Sequence, residues 1–199
     1  YHQGLPSSVS SAKGRPARGL IEVLYSLAPY GSEPMTTLIH KAKYQQKDWI
    51  FEALRGPLEE CLPALGLANV VDGLCPVPLH HARARERGFN QAEIIARMVA
   101  ASINRPVQDF LYRAKATKPQ AGISDKWERK SNVRGAFGLA ENFKKQLSAK
   151  RILLVDDVAT TCATLNECAK ILYEHGASKV FAFVLARALP ARSEVPNRP

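Results

Sequence analysis

The chain reads as an α/β protein, a mostly parallel sheet flanked by helices. Three observations carry that reading. Short apolar runs and amphipathic helical segments alternate along the sequence, which is the order of βαβ units. The run Ile152 to Val155 has the length and branching of a strand buried on both faces. The segment after it carries Leu165, Cys168, Ala169 and Leu172 at the spacing of one buried helix face.

In chain order, residues 1–19 are polar, basic and rich in Gly, Pro and Ser, the composition of a disordered tail; they lack the apolar centre of a secretory signal. Residues 20–66 read as mostly helical, with helices near 35–44 and 48–62 and a stop at Gly66. Residues 70–79 read as a strand entering a proline-bounded turn, 90–104 as a helix with Ala92, Ile95, Ala96 and Val99 on its inner face, and 107–112 as a strand. Residues 113–134 hold seven Lys/Arg against two Asp/Glu and read as a mobile basic loop. A short strand at 135–139 re-entering the sheet, a strand at 152–156, a helix at 163–175 closed by Gly176 and a last strand at 180–186 follow. Residues 191–199 read as a second tail, leaving 20–190 as the folded domain.

Composition narrows the function. The net charge of +10 favours polyanionic partners such as phosphorylated metabolites, nucleotides or nucleic acid. No apolar run approaches the roughly 18 residues of a membrane span. The four cysteines, at 61, 75, 162 and 168, form no Cys-x-x-Cys pair. Neither a zinc site nor a disulfide framework is expected, and a reducing cytoplasm is.

ILLVDDVATTCATL, residues 152–165, is the most informative stretch. A strand feeding a small-residue loop and then a helix start builds an anion site, because loop N–H groups and the positive helix end point the same way. The hydroxyls of Thr160, Thr161 and Thr164 add donors around Cys162 and Ala163. Asp156 and Asp157 would repel a phosphate, so they suit vicinal ribose hydroxyls with a magnesium ion nearby. A second stretch, 75–97, ends a strand at Pro78 and then crowds Arg83, Arg85 and Arg87 with His80 and His81. Arginine forks match phosphate geometry, and ligands of open α/β sheets lie outside the carboxyl ends of the strands. The two histidines read individually as structural or surface residues. In the third stretch, 113–137, Trp127 reads as a packing aromatic, with base stacking as the alternative.

The first stretch resembles the phosphoribosyl pyrophosphate (PRPP) motif of type I phosphoribosyltransferases. All three stretches together resemble the ComF family of competence-associated, phosphoribosyltransferase-like proteins. The shared pattern is Pro76 to Leu79; Arg87 to Gln91; the spaced Arg113, Thr117, Gln120, Ser124 and Arg129 before Asn132 to Phe137; and Leu38, Ile39, Lys43 and Tyr44. It covers about residues 25–187.

The resemblance implies a type I phosphoribosyltransferase-like fold with a small N-terminal hood, mainly 25–66, and a flexible loop. It implies that Asp156 and Asp157 hold the ribose hydroxyls and touch the metal only through PRPP. Thr160, Thr161, Cys162, Ala163 and Thr164 would wrap the 5-phosphate. Leu79, His80, Arg83, Arg85 and Arg87 would contact pyrophosphate, and Arg113, Thr117, Gln120 and Arg129 would belong to a lid.

Mg2+ is the implied cofactor. PRPP, a nucleobase, single-stranded DNA, competence or recombination proteins and a second copy in a homodimer are the implied partners. The implied activity is phosphoribosyl transfer linked to DNA uptake and natural competence. The alternative is a non-catalytic PRPP- or nucleotide-binding module that handles single-stranded DNA in transformation.

Three points bear on the resemblance. The family usually has Gly where this chain has Cys162, which reads as a small residue that fits, with an acidified helix-start thiol as the alternative. Thr160 stands where the 6-oxopurine branch has Asp, which argues against that acceptor. ComF-like proteins commonly begin with a four-cysteine zinc ribbon; residues 1–24 hold no cysteine, so no ribbon function is carried over.

Overall fold

A computed structural model describes residues 13–16, 19–33, 35–45, 48–115, 131–143 and 146–188. Its main sheet runs in the order β1 (Lys13–Pro16), β2 (Val23–Pro29), β7 (Lys179–Arg187), β6 (Arg151–Ala159), β3 (Gly73–Pro76). All neighbours are parallel except β1, which pairs antiparallel with β2 at the edge. A separate hairpin joins β4 (Leu111–Arg113) to β5 (Phe137–Leu139), so the strand expected over 135–139 pairs with β4 and does not re-enter the main sheet.

The central strands explain themselves. Ile152 to Val155 are all fully buried, and alternate residues feed two cores. Leu153 and Val155 join Phe181 and Phe183 against α1 (Met35–Gln45), a 3-10 helix at Asp48–Leu54, α2 (Arg55–Cys61) and α5 (Gln91–Ile103). Ile152 and Leu154 join Val180 and Val184 against α6 (Ala163–Glu174) and the hairpin. Each such buried aliphatic contributes about 1.5–3 kcal/mol. The sheet is thus covered on both faces, as its apolar strands require.

The short α3 (Leu67–Val70) leads into β3. Asn90 caps α5 by accepting from Ala92 N at 3.2 Å, and Asn104 closes it in the left-handed conformation at φ 51°. No helix among the described residues is long and apolar enough to cross a membrane.

Four other expectations change. Residues 23–29, read with a helical region, form β2, because VLYSLAP finds a parallel partner in β7. Residues 13–16, read within a tail, pair with β2. Residues 81–87, read as a turn, form α4 (His81–Arg87): the His80 ring accepts from Ala82 N at 3.2 Å, and Gly88 at φ 80° ends the helix. The strand expected over 107–112 is split, with Val107 bridging Leu74 and the regular strand beginning at Leu111.

Candidate anion site at the carboxyl edge of the sheet

β3 and β6 lie side by side, with Pro76 opposite Val155. Their carboxyl ends therefore bring the two phosphate-type segments to one edge of the sheet. The segment leaving β3 carries Leu79 and His80 into α4, which presents Arg83, Arg85 and Arg87. β6 runs on past the carboxylates to Ala159, so Asp156 and Asp157 sit within the strand rather than after it. Asp157 is only 8% exposed, and its N–H donates to Asp156 Oδ1 at 2.8 Å.

Cations gather on the β3 side. The Arg113 guanidinium stacks over the Phe137 ring at 5.2 Å. Burial, then the nearby Arg83 charge, pull Arg113 down from its ordinary pKa, with Asp156 acting in the other direction. Arg83 is likewise lowered by burial and then by Arg87. His80 is held below the ordinary imidazole range by partial desolvation, then by His81, Arg113, Arg83 and Arg85. That keeps its Nδ1 available as the acceptor that caps α4. Arg87 donates to Gln91 Oε1 at 3.4 Å, while Arg85 is exposed.

Sequence reasoning put Arg113 in a lid. The structure puts it on β4, in register with Phe137 and within electrostatic reach of Asp156. Thr117, Gln120, Ser124, Trp127 and Arg129 lie outside the described residues.

The loop on the other side ends β6 and starts α6. Cys162 is the residue before α6 and adopts φ 58°, ψ 14°, the left-handed conformation that glycine takes without strain. Its thiol is not acidified: burial raises the pKa, and the Arg187 charge only partly opposes it. The acidified-thiol alternative therefore falls, desolvation being the larger effect.

Thr161 Oγ1 accepts from Ala163 N at 3.4 Å. The Cys162 carbonyl accepts twice from Asn166, from its backbone N at 2.9 Å and its Nδ2 at 3.0 Å. Asn166 Oδ1 in turn accepts from Leu20 N at 2.7 Å. The neighbouring Glu167 accepts from Gly135 N at 2.6 Å, next to the hairpin. Two adjacent α6 residues thus tie the loop to the N-terminal segment and to the root of the basic stretch. Sequence reasoning missed both, since neither pairing leaves a local pattern.

α1, the 3-10 helix and α2 pack into the core of the opposite face, and Phe51 meets Phe89 edge-to-face at 6.4 Å, next to the start of α5. Among the described residues no group of three or more His, Cys, Asp or Glu side chains gathers to hold a metal ion. The donor set suits magnesium brought in on phosphate oxygens, since that ion needs few protein carboxylates.

No family model matches the chain. It is 34% identical over 160 residues to competence protein F of Haemophilus influenzae, covering 78% of this chain and 69% of that protein. It is 32% identical over 193 residues to the DNA utilization protein YhgH of Escherichia coli, covering 94% and 80%. Among solved structures, a purine phosphoribosyltransferase from Pyrococcus horikoshii is similar over 66% of this chain and 80% of that one, with 14% identity and a TM-score of 0.40.

Proposed function

The chain belongs to the ComF family of competence proteins, and from that premise we propose that the carboxyl edge of its sheet binds PRPP with magnesium. One observation carries the reading. Cations and a small-residue anion loop converge on one sheet edge, with Asp156 and Asp157 on the strand that feeds the loop. PRPP has the matching order: a diphosphate, vicinal hydroxyls and a 5-phosphate.

In this reading Arg83, Arg113 and their neighbours face the diphosphate, Asp156 and Asp157 accept from the ribose hydroxyls, and the 160–164 loop holds the monophosphate. Magnesium, bound through ligand oxygens near Asp156 and Asp157, would offset the diphosphate charge. Transfer breaks the bond from the anomeric carbon to the diphosphate oxygen, whose electron pair leaves with pyrophosphate. A base nitrogen supplies the pair for the new bond. The fixed guanidiniums stabilise the charge developing on the leaving group. A pathway role in DNA uptake follows from the names the relatives carry.

A second reading keeps the ligand and drops the transfer: a PRPP- or nucleotide-binding module that handles single-stranded DNA. The net charge of +10 favours backbone binding of that kind. Calorimetric titration of PRPP with Mg2+ tests the shared premise; no binding to folded protein sinks both readings. Base-dependent release of pyrophosphate then selects transfer, and binding without release selects the module.

A further inference from the structure

Charge balance at the monophosphate end points to a residue outside every segment considered so far. The Thr160–Thr164 loop offers hydroxyls and backbone N–H groups, which are neutral, and it begins three residues after Asp157. A phosphate monoester carries about −1.5 to −2 charges at neutral pH. The cations of α4 and β4 gather on the β3 side of Asp156 and serve the other end.

β7 brings in another cation. Arg187 is its last residue and is paired in register with Ala159, the residue before Thr160. Ala188 N donates to Ala159 O at 2.8 Å, so the two strands stay joined up to the start of the loop. Residues opposite one another in parallel strands project to the same face. Ala159 packs into the core beneath α6, so Arg187 projects toward α6 and its first turn. Its charge reaches the Cys162 thiol in the middle of the loop. The side chain is half-buried, and among the described residues it makes no ion pair and no side-chain hydrogen bond. A partly desolvated guanidinium with no protein counter-ion is the complement of an arriving anion.

We propose that Arg187 is the cation that reads the terminal phosphate monoester, acting from the strand beside the one that carries the carboxylates. The inference rests on the PRPP reading above and adds a residue to it: Arg187 is the side chain that tells the phosphorylated pentose from the unphosphorylated sugar.

The test separates the two ends of the ligand. Ribose 5-phosphate probes the loop end, and magnesium pyrophosphate probes the α4 end. Each is titrated against wild type, Arg187→Gln, Arg187→Lys and Arg83→Gln. Arg187→Gln is expected to weaken ribose 5-phosphate about tenfold or more and to leave pyrophosphate within about twofold. Arg187→Lys, which keeps the charge without the fork, should fall between. Arg83→Gln should show the reverse pattern.

Wild-type affinity for ribose 5-phosphate should also rise with pH through about 6, as the monoester loses its second proton. Arg187→Gln should flatten that rise, which a merely structural role would not do. If Gln lowers the melting temperature sharply, the Lys variant and its pH profile carry the test. Unchanged ribose 5-phosphate affinity in a folded variant, or equal loss at both ends, overturns the proposal for Arg187 alone. A wild type that binds neither probe overturns the PRPP reading beneath it as well.

Discussion

β3 and β6 carry charged residues at both of their ends, and the two ends are built on opposite principles. At the amino ends Asp72 and Arg151 form an ion pair and Arg105 is held by carbonyls. Arg151 grips Asp72 through Nη2 at 2.6 Å and Nε at 3.1 Å, and donates from Nη1 to Asn69 O at 3.1 Å. Arg105 closes α3 by donating to the carbonyls of Ala68 and Val71. At the carboxyl ends like also stands beside like: Asp156 next to Asp157, and Arg83 within reach of Arg87 and Arg113, with Asp156 near Arg113 and Glu86 near Arg83 as partial offsets. A backbone in the left-handed region completes that end at Cys162. The amino ends serve folding. The carboxyl ends bring like charges close together, the arrangement that the proposed ligand, with its matching charge order, would use.

The largest expected effect tests that contrast directly. Asp156→Asn/Asp157→Asn should weaken PRPP with Mg2+ by about 100-fold or more, a loss of about 2.7 kcal/mol. It should move the melting temperature far less than the affinity, because Asn keeps an oxygen to accept from Asp157 N. A steep loss of stability with little change in affinity would make the carboxylates structural and erase the difference between the two ends.

How far the sequence announced this arrangement depends on whether the signal was local. β6 and α6 were legible because a strand buried on both faces needs an unbroken apolar run, and the helix behind it needs one apolar stripe. The loop was legible because hydroxyl and small residues between them have a chemical meaning. β2 was not, since VLYSLAP is stabilised by pairing with β7, a partner about 150 residues away. α4 was not, because HARARER has no apolar stripe; its form comes from the His80 cap and the Gly88 stop. Arg187 was hidden for the same reason as β2, since only the register of β6 and β7 places it beside Ala159. Cys162 was legible as a departure, and the structure gives its physical content: the backbone keeps the φ of 58° that glycine would supply.

A smaller effect probes the tie between the site and the N-terminal segment. Gly19 has φ 102°, and a Cβ there would lie 2.3 Å from Asn166 Oδ1. Gly19→Ala should destabilise the fold by about 2 kcal/mol, from the backbone conformation and the forced shift of Asn166. Because Asn166 also holds the Cys162 carbonyl, ribose 5-phosphate affinity should fall a few-fold while pyrophosphate affinity holds. Denaturant unfolding and the two titrations check this. Equal loss of both ligands would mean a general loosening rather than a tie to the loop.

The amino ends predict a pH effect without a ligand effect. Arg151 holds the Asp72 carboxyl down at about 2, mainly through side-chain hydrogen bonding. A lowered carboxylate adds stability that is present above its unfolded pKa of roughly 3.9 and fades as pH falls through the folded value. The pair is more than a third exposed, so solvent screening leaves about 1 kcal/mol or less. Asp72→Asn should therefore cost that amount at pH 7 and nothing near pH 1.5, with PRPP affinity unchanged throughout. Acid-titrated melting curves that stay parallel for wild type and variant would remove the pair from the folding side of the comparison.

The smallest effect lies at Cys162, where the family resemblance leads one to expect glycine. A non-glycine residue at φ 58° costs about 1–2 kcal/mol in the folded state. Glycine would relieve it, yet it gives more freedom to the unfolded chain and gives up the packing of the half-buried Cys162 side chain. These terms nearly cancel, so Cys162→Gly should move stability by about 0.5 kcal/mol or less. The gain should appear in the ligand instead, because removing the Cβ lets the loop N–H groups come closer to a phosphate. About threefold tighter ribose 5-phosphate is expected. Cys162→Val sets the opposite limit, since a β-branched side chain resists the left-handed region most. Its affinity should fall below wild type. A series in which Gly, Cys and Val bind alike would mean that the loop backbone does not limit the site, and that cysteine serves here as well as glycine.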